Sequence, residues 1–319
     1  MLNRILLAID DDAASWAAER LTARVAGPLE ALVTVIHVLS GRQGDVLEDD
    51  PGYGVARRLV DDVGLSLSRA GARSRAEVRV ASKTQIGQEI ATAAREQDAE
   101  LLVIGSRGRL GATGYLTGSV GREVIASARV PVLIVREHAA LPEGAPRKLL
   151  LGIDGTDGTR RLTGHAIDLA LAFGAEVLVA HVGFQRAAEL EAELGLPDAD
   201  LSEGEKALAD AAAQLSAAGV KVTRQPIENV GGIAAELAKA ADASSTDLII
   251  VGARRAATLG DRAVGHVYAD LVAHSRRPVL VDADPDQPEQ GRRRKRTREA
   301  LTEPTGPFEV GRIDLPAGR

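Results

Sequence analysis

The chemistry of this chain concentrates in one glycine-rich stretch, Gly105-Ser106-Arg107-Gly108-Arg109-Leu110-Gly111-Ala112-Thr113-Gly114-Tyr115-Leu116-Thr117-Gly118-Ser119-Val120-Gly121. Glycines permit positive φ and close backbone approach, so successive N–H groups can turn toward an anion. Gly118-Ser119 opens an Ala-containing helical segment and adds free N–H groups, a hydroxyl and the positive end of a helix. Such a loop can hold phosphates without a basic cluster. A merely flexible glycine loop is the alternative. The stretch is not a Walker A loop, because no Gly-Lys-Ser/Thr follows, and it lacks the G-x-G-x-x-G spacing of dinucleotide loops.

Other constellations are sparse. The six histidines, at 37, 138, 165, 181, 266 and 274, form no H-E-x-x-H pattern or close ligand pair. His37 and His181 stand at strand ends, where a structural role is expected. Thr117-Gly118-Ser119-Val120-Gly121 is not a G-x-S-x-G nucleophile elbow. With no cysteine there are no disulfides, thiolate zinc sites or iron–sulfur clusters. Aromatic residues make up 2% of the chain, which argues against a nucleic-acid binder that stacks bases. The 39 basic and 45 acidic residues leave a net charge of −6, so no overall basic field draws the chain to DNA.

The elements that must position the glycine stretch are written twice. Arg4-Ile-Leu-Leu-Ala-Ile-Asp10 corresponds to Lys148-Leu-Leu-Leu-Gly-Ile-Asp154, and Val35-Ile-His37-Val38 to Val179-Ala-His181-Val182, both at an offset of 144 residues. Leu101–Gly105 corresponds to Leu248–Gly252, Gly118 to Gly265, and Pro131-Val-Leu-Ile-Val135 to Pro278-Val-Leu-Val281, at an offset of 147. Ordered agreement across these blocks is an internal duplication. Within the first copy, apolar runs near 3–9, 32–38, 76–81, 100–105 and 131–136 alternate with helical segments near 13–26, 55–70, 85–97 and 118–128. The second copy places strands near 148–153, 176–182, 220–225, 247–252 and 278–281, and helices near 159–173, 203–218, 231–243 and 265–275. Runs that are apolar throughout suit strands covered on both faces of a parallel sheet. The expected fold is α/β: two tandem doubly wound, Rossmann-like domains, each a five-stranded parallel sheet with helices on both faces.

The domains are expected at 1–138, with an intact phosphate loop, and at 147–283, with a degenerate one. Pro142, Gly144 and Pro146 mark a linker between them. Residues 284–319 lose all periodicity and read as a disordered charged tail, whose basic run at 292–298 offers at most weak nucleic-acid contact. The stretch Val46–Gly54 reads as a surface loop, with a lid over the first site as the alternative. No apolar run approaches the roughly 20 residues of a membrane span. The opening apolar run is short and ends in Asp10-Asp11-Asp12, unlike a signal-peptide core, so a cytoplasmic location is expected.

Gly105-x-x-Gly108, nine residues, then Gly118-Ser119 resembles the ATP-binding signature of the universal stress protein family, G-x-x-G-x9-G-[S/T]. The strand ending in Asp10, the strand ending in His37-Val38 and the Val130-Pro131-Val-Leu-Ile-Val135 strand resemble that family too. The resemblance spans both copies, roughly 1–282, and implies a tandem member. It implies that Asp10 contacts the nucleoside, its carboxylate accepting hydrogen bonds from ribose hydroxyls or the adenine amino group. A helix N-cap is the alternative role for Asp10. Val38 matches a position whose backbone reads the adenine edge, or is simply an apolar strand end. Gly105, Gly108, Gly118, Ser119 and Val120 match the ribose and triphosphate cradle. ATP with Mg²⁺ or Mn²⁺ is the implied ligand, since a triphosphate-bound metal needs few protein ligands. Pairing of the two copies is expected along their last strands, as in the family's dimer, with a further homodimer left open.

Two departures qualify the match. The family often reads Asp-Gly-Ser at the first turn, whereas this copy reads Asp10-Asp11-Asp12, adding negative charge near the phosphates. The second copy reads Gly252-Ala-Arg254-Arg255, nine residues, then Gly265-His266, with Asp261 between. Arg255 replaces the second glycine and carries a Cβ that resists positive φ. Its site is expected to be degenerate, with a different anion on Arg254 and Arg255 as the alternative. No residue stands out as a base or nucleophile, so a nucleotide-dependent sensor with at most slow ATP hydrolysis is expected. The alternative is an interaction scaffold that binds no nucleotide and works through surface contacts or the basic tail.

Overall fold

The computed structural model describes residues 2–41, 50–107, 119–156, 158–183, 203–253 and 267–283. The first half contains β1 (Arg4–Ala8), α1 (Ala13–Leu29), β2 (Leu32–Ser40), α2 (Pro51–Arg69), β3 (Arg73–Ala81), α3 (Ile86–Glu96), β4 (Leu101–Ser106), α4 (Ser119–Ser127) and β5 (Val132–Arg136). The second contains β6 (Lys148–Ile153), α5 (Gly158–Phe173), β7 (Glu176–Gly183), α6 (Glu203–Ala217), β8 (Val222–Glu228), α7 (Ile233–Ala243), β9 (Leu248–Ala253), α8 (Val267–His274) and β10 (Val279–Ala283).

All ten strands form one sheet in the order β3-β2-β1-β4-β5-β10-β9-β6-β7-β8. Every pairing is parallel except that of β5 with β10, which is antiparallel. The seam joins Ile134 to Val279, Leu133 to Leu280 and Val132 to Val281. All six side chains are buried, so the pairing of last strands inside one chain removes two edges that would otherwise invite association. The linker is tied to both halves: the Ala140 N–H donates to the Arg276 carbonyl at 2.7 Å, and the Arg24 guanidinium donates to the Pro142 carbonyl.

The continuous apolar runs have their cause in the two-faced burial. Ile5, Leu7 and Ile9 enter one core with α1, α2, α5 and α6, whereas Leu6 and Ala8 enter the other with α3, α4, α7 and α8. The outermost strands differ. β3 reads Arg-Ser-Arg-Ala-Glu-Val-Arg-Val-Ala and β8 carries Pro226, a residue without an N–H that a sheet edge tolerates. Two of the sequence expectations need correcting. α2 begins at Pro51, not 55: the Asp50 carboxylate accepts from the Gly52 N–H at 2.7 Å and Pro51 fits the first helical turn, so Pro51–Gly54 is helix where a loop was read. β3 begins at Arg73, three residues early, because its polar start pairs with Leu32 and Val33 of β2 and needs no second face.

Candidate functional site

In each half the chain turns back across the sheet between the first and fourth strands, β1/β4 and β6/β9. That reversal opens a crevice beyond the carboxyl ends of those strands, the usual place for a ligand in such sheets. In the first half the crevice is a cavity of about 440 Å³. Ile36, Ile86, Ile90, Ile104 and Ile125 give it an apolar floor; Asp10 and Asp12 stand on the β1 side, and Arg107 and Arg122 on the β4–α4 side.

Local hydrogen bonds set the acidic wall. Asp12 caps α1, its carboxylate accepting from the Ser15 N–H at 2.8 Å. The N-cap role weighed for Asp10 therefore belongs to Asp12. Asp10 keeps its side chain 76% exposed, accepts from the Asp11 N–H at 2.9 Å and stands 4.0 Å from His37 Nδ1. Its own N–H donates to the Ser15 hydroxyl at 2.9 Å. Capping engages one of the three successive carboxylates but leaves its charge at the crevice, so the repulsion that Asp10-Asp11-Asp12 suggested stands. His37 Nδ1 lies 2.9 Å from the Ile9 carbonyl and holds the end of β2 against the end of β1, a structural bond.

Asp10, Val38, Gly105 and Val120 all line this cavity. Ser119 starts α4 beside it. Gly108 and Gly118 lie outside the described residues, as do Gly111 and Gly114. Gly105 has a reason of its own: a Cβ there would stand 2.6 Å from the Ala14 carbonyl carbon and 2.7 Å from the Ser15 nitrogen. The glycine lets β4 pass under the first turn of α1, so close approach to its own chain is what requires it. Arg107 and Arg122 were not singled out from the sequence. Among the described residues neither has an ion-pair partner. Their spacing from the glycines carries no period: Arg107 follows β4 and Arg122 lies in the first turn of α4, and both line the crevice.

The second crevice is about 120 Å³. His181 repeats the bond of His37, with Nδ1 3.1 Å from the Ile153 carbonyl. The other groups are engaged differently. One oxygen of Asp154 accepts from the Thr156 N–H at 3.0 Å, the Thr156 hydroxyl at 2.6 Å and the Thr159 hydroxyl at 3.4 Å. Arg161 Nε donates to Asp282 at 2.7 Å, and His165 Nε2 lies 3.4 Å from the same carboxylate, which is 5% exposed. In the first half the corresponding residues are Ala17, Leu21 and Val135. Burial pushes the Asp282 carboxyl up, but its bonds to His165 and Arg161 win and hold it below the usual carboxylate value. Arg254, Arg255, Asp261, Gly265 and His266, on which degeneracy was argued, lie outside the described residues.

The sequence model of the universal stress protein family matches residues 1–136 and again 146–282. The chain belongs to the universal stress protein family. Universal stress protein Rv2623 of Mycobacterium tuberculosis is 26% identical over 294 residues, covering 87% of this chain and 95% of that protein. Universal stress protein YxiE of Bacillus subtilis is 30% identical over 148 residues, covering 43% of this chain and all of that one. A crystal structure of a universal stress protein from Archaeoglobus fulgidus matches 90% of this chain and 98% of its own, at a TM-score of 0.68 and 19% identity. Within the family frame, this chain is a tandem universal stress protein whose two crevices differ in size and in the engagement of their polar groups. Among the described residues no helix is long and apolar enough to cross a membrane, and no cluster of three His, Asp or Glu side chains forms a metal site.

Proposed function

We propose that this chain is a cytoplasmic, nucleotide-dependent regulator that holds one adenine nucleotide, ATP in the first instance, in its first crevice. The observation that carries the reading is the contrast in room: about 440 Å³ against about 120 Å³. Sites for compact organic ligands run from roughly 300 to 1,000 Å³, and only the first crevice falls in that range. Its polarity supports the same reading. Among the lining residues, Asp10 supplies an acceptor for ribose hydroxyls, the Val38 backbone groups for a base edge, and Arg107, Arg122 and the start of α4 donors for phosphates. Mg²⁺ or Mn²⁺ would be held chiefly by the phosphates and water. Among the described lining residues Asp12 caps α1 and His37 is tied to the Ile9 carbonyl, and binding rather than turnover is the proposed role.

Mass spectrometry of small molecules released from protein purified without added nucleotide tests the reading. One adenine nucleotide per chain is expected. Two per chain would overturn the asymmetry, and none, with no calorimetric heat on adding ATP, would leave the interaction scaffold as the better account.

A further inference from the structure

The duplication relates the two sides of the β5–β10 seam, and the two places it relates are filled differently. On one side α5, β10 and the starts of β1, β4 and β5 enclose a groove of about 190 Å³. Leu2, Leu101, Leu169 and Leu280 give it apolar walls, and Glu100 and Asp168 line it with carboxylates. On the other side the repeat puts Pro146, Leu248, Val25 and Leu133 at the same four positions, and Asp247 at that of Glu100. The backbone keeps the equivalence: Glu100 accepts from the N–H groups of Asn3 and Arg4, and Asp247 from those of Arg147 and Lys148. Yet only about 10 Å³ is left on that side. The linker closes it. Ala139, Leu141 and Ala145 pack on the same core, and the Arg24 guanidinium donates to the Pro142 carbonyl.

The segment that holds the linker's place in the second repeat is 284–294, at the offset of 147 residues. It lies outside the described residues, but the point where it leaves the sheet is fixed. Val281 pairs with Val132, so the end of β10 lies against Pro131 in the wall of the groove. The segment carries Arg292, Arg293 and Arg294, continued by Lys295 and Arg296. The polarity of the groove is reversed to match. Where Arg24 meets a linker carbonyl, the repeat puts Asp168, an exposed carboxylate for which a guanidinium or ammonium is the complementary group. We propose that this groove between the halves docks the chain's own basic run, Arg292–Arg296, against Glu100 and Asp168. Twelve residues separate Ala283 from Lys295, up to about 40 Å of extended chain, so the run can reach. One exposed ion pair is worth at most about 1 kcal/mol, but a tethered run sits at about millimolar effective concentration, so weak pairs suffice. The leucine walls cover the aliphatic stems of the docked cations. The docking is independent of any nucleotide in the first crevice.

Carbodiimide cross-linking of the full chain, read by peptide mass spectrometry, tests the site, because Lys295 is the only lysine in 284–319. Of the links from Lys295 to carboxylates outside the tail, most are expected at Asp168 or Glu100. Their yield should fall about fivefold or more in 1 M salt, where the Debye length is about 3 Å. D168N should lose the link at 168 and lower the one at Glu100, with its melting temperature unchanged because Asp168 is exposed. In a mixture of unlabelled and nitrogen-15-labelled protein the links should stay within one chain. Links spread evenly over the surface carboxylates, or none outside the tail, overturn the proposal. So does a Glu100 link indifferent to both D168N and salt. Links between labelled and unlabelled chains overturn it as well, by placing the run on a second copy.

Discussion

Gly105 runs beneath Ala14 so closely that a Cβ on it would stand 2.6 Å from the Ala14 carbonyl carbon and 2.7 Å from its oxygen. The obstacle is backbone, which cannot rotate away, so G105A must shift β4 or α1. Overpacking of this kind costs about 1–3 kcal/mol, read as a lower denaturant midpoint. The counterpart Gly252 has nothing within 4 Å of such a Cβ among the described residues and no positive φ. G252A is expected to stay within about 0.5 kcal/mol of the unsubstituted chain. Equal costs at both positions would mean that the glycine is required by something other than the crossing of β4 under α1.

Asp282 gives the second half a pH dependence with a definite sign. Its carboxyl titrates below the ordinary value because His165 and Arg161 hold the charged form against burial. A depressed folded pKa contributes stability that is fully present above the unfolded value of about 3.9 and is lost as pH falls through the folded one. Acidification below about pH 4 should therefore lower the melting temperature of the unsubstituted chain more than that of D282N. At neutral pH, D282N should cost about 1–3 kcal/mol, the range for losing a hydrogen bond to a charged group, since Arg161 is 40% exposed. A D282N curve parallel to that of the unsubstituted chain down to pH 3 would contradict this.

How far the sequence could be read depended on which force set each feature. The inner strands are legible because burial on both faces demands continuous apolar runs such as Leu101–Ile104. Position 105 is legible as a glycine but not as a crossing point, because the partner, Ala14, lies in a different element. The first turn of α2 was hidden by Gly52 and Gly54, poor helix formers held there by Asp50 and Pro51. Arg161 and Asp282 were illegible for a different reason: they are brought together from opposite ends of one half, Arg161 from α5 and Asp282 from β10.

Arg79 anchors the outer strand of the first half. Its guanidinium, 12% exposed, meets Glu77 at 2.8 Å, Glu89 at 3.0 Å and Glu96 at 2.8 Å, tying β3 to both ends of α3. Burial alone would lower its pKa, but the three carboxylates together raise it. R79M keeps the apolar stem and removes the charge, leaving three carboxylates facing one another. A loss of about 1–3 kcal/mol is expected, shrinking as salt screens the repulsion among the glutamates. A loss insensitive to salt would point to packing of the side-chain stem instead.

Asp10 and Asp154 hold the same place in the repeat and differ in what engages them. The carboxylate of Asp154 is bonded to Thr156 and Thr159, so it stabilises its own turn. Asp10 accepts from the neighbouring Asp11 N–H and otherwise looks into the larger crevice, 76% exposed. D154N is therefore expected to act on stability, by about 0.5–2 kcal/mol as for other side chains that satisfy a turn, and to leave nucleotide content unchanged. D10N should do the reverse. Loss of a charged acceptor for ribose hydroxyls would weaken ATP about tenfold, with the melting temperature of the nucleotide-free protein close to that of the unsubstituted chain. Measuring affinity by calorimetry and melting by circular dichroism on both variants separates the two roles. Loss of nucleotide in D154N, or of stability alone in D10N, would mean that the repeat places its ligand in the opposite half.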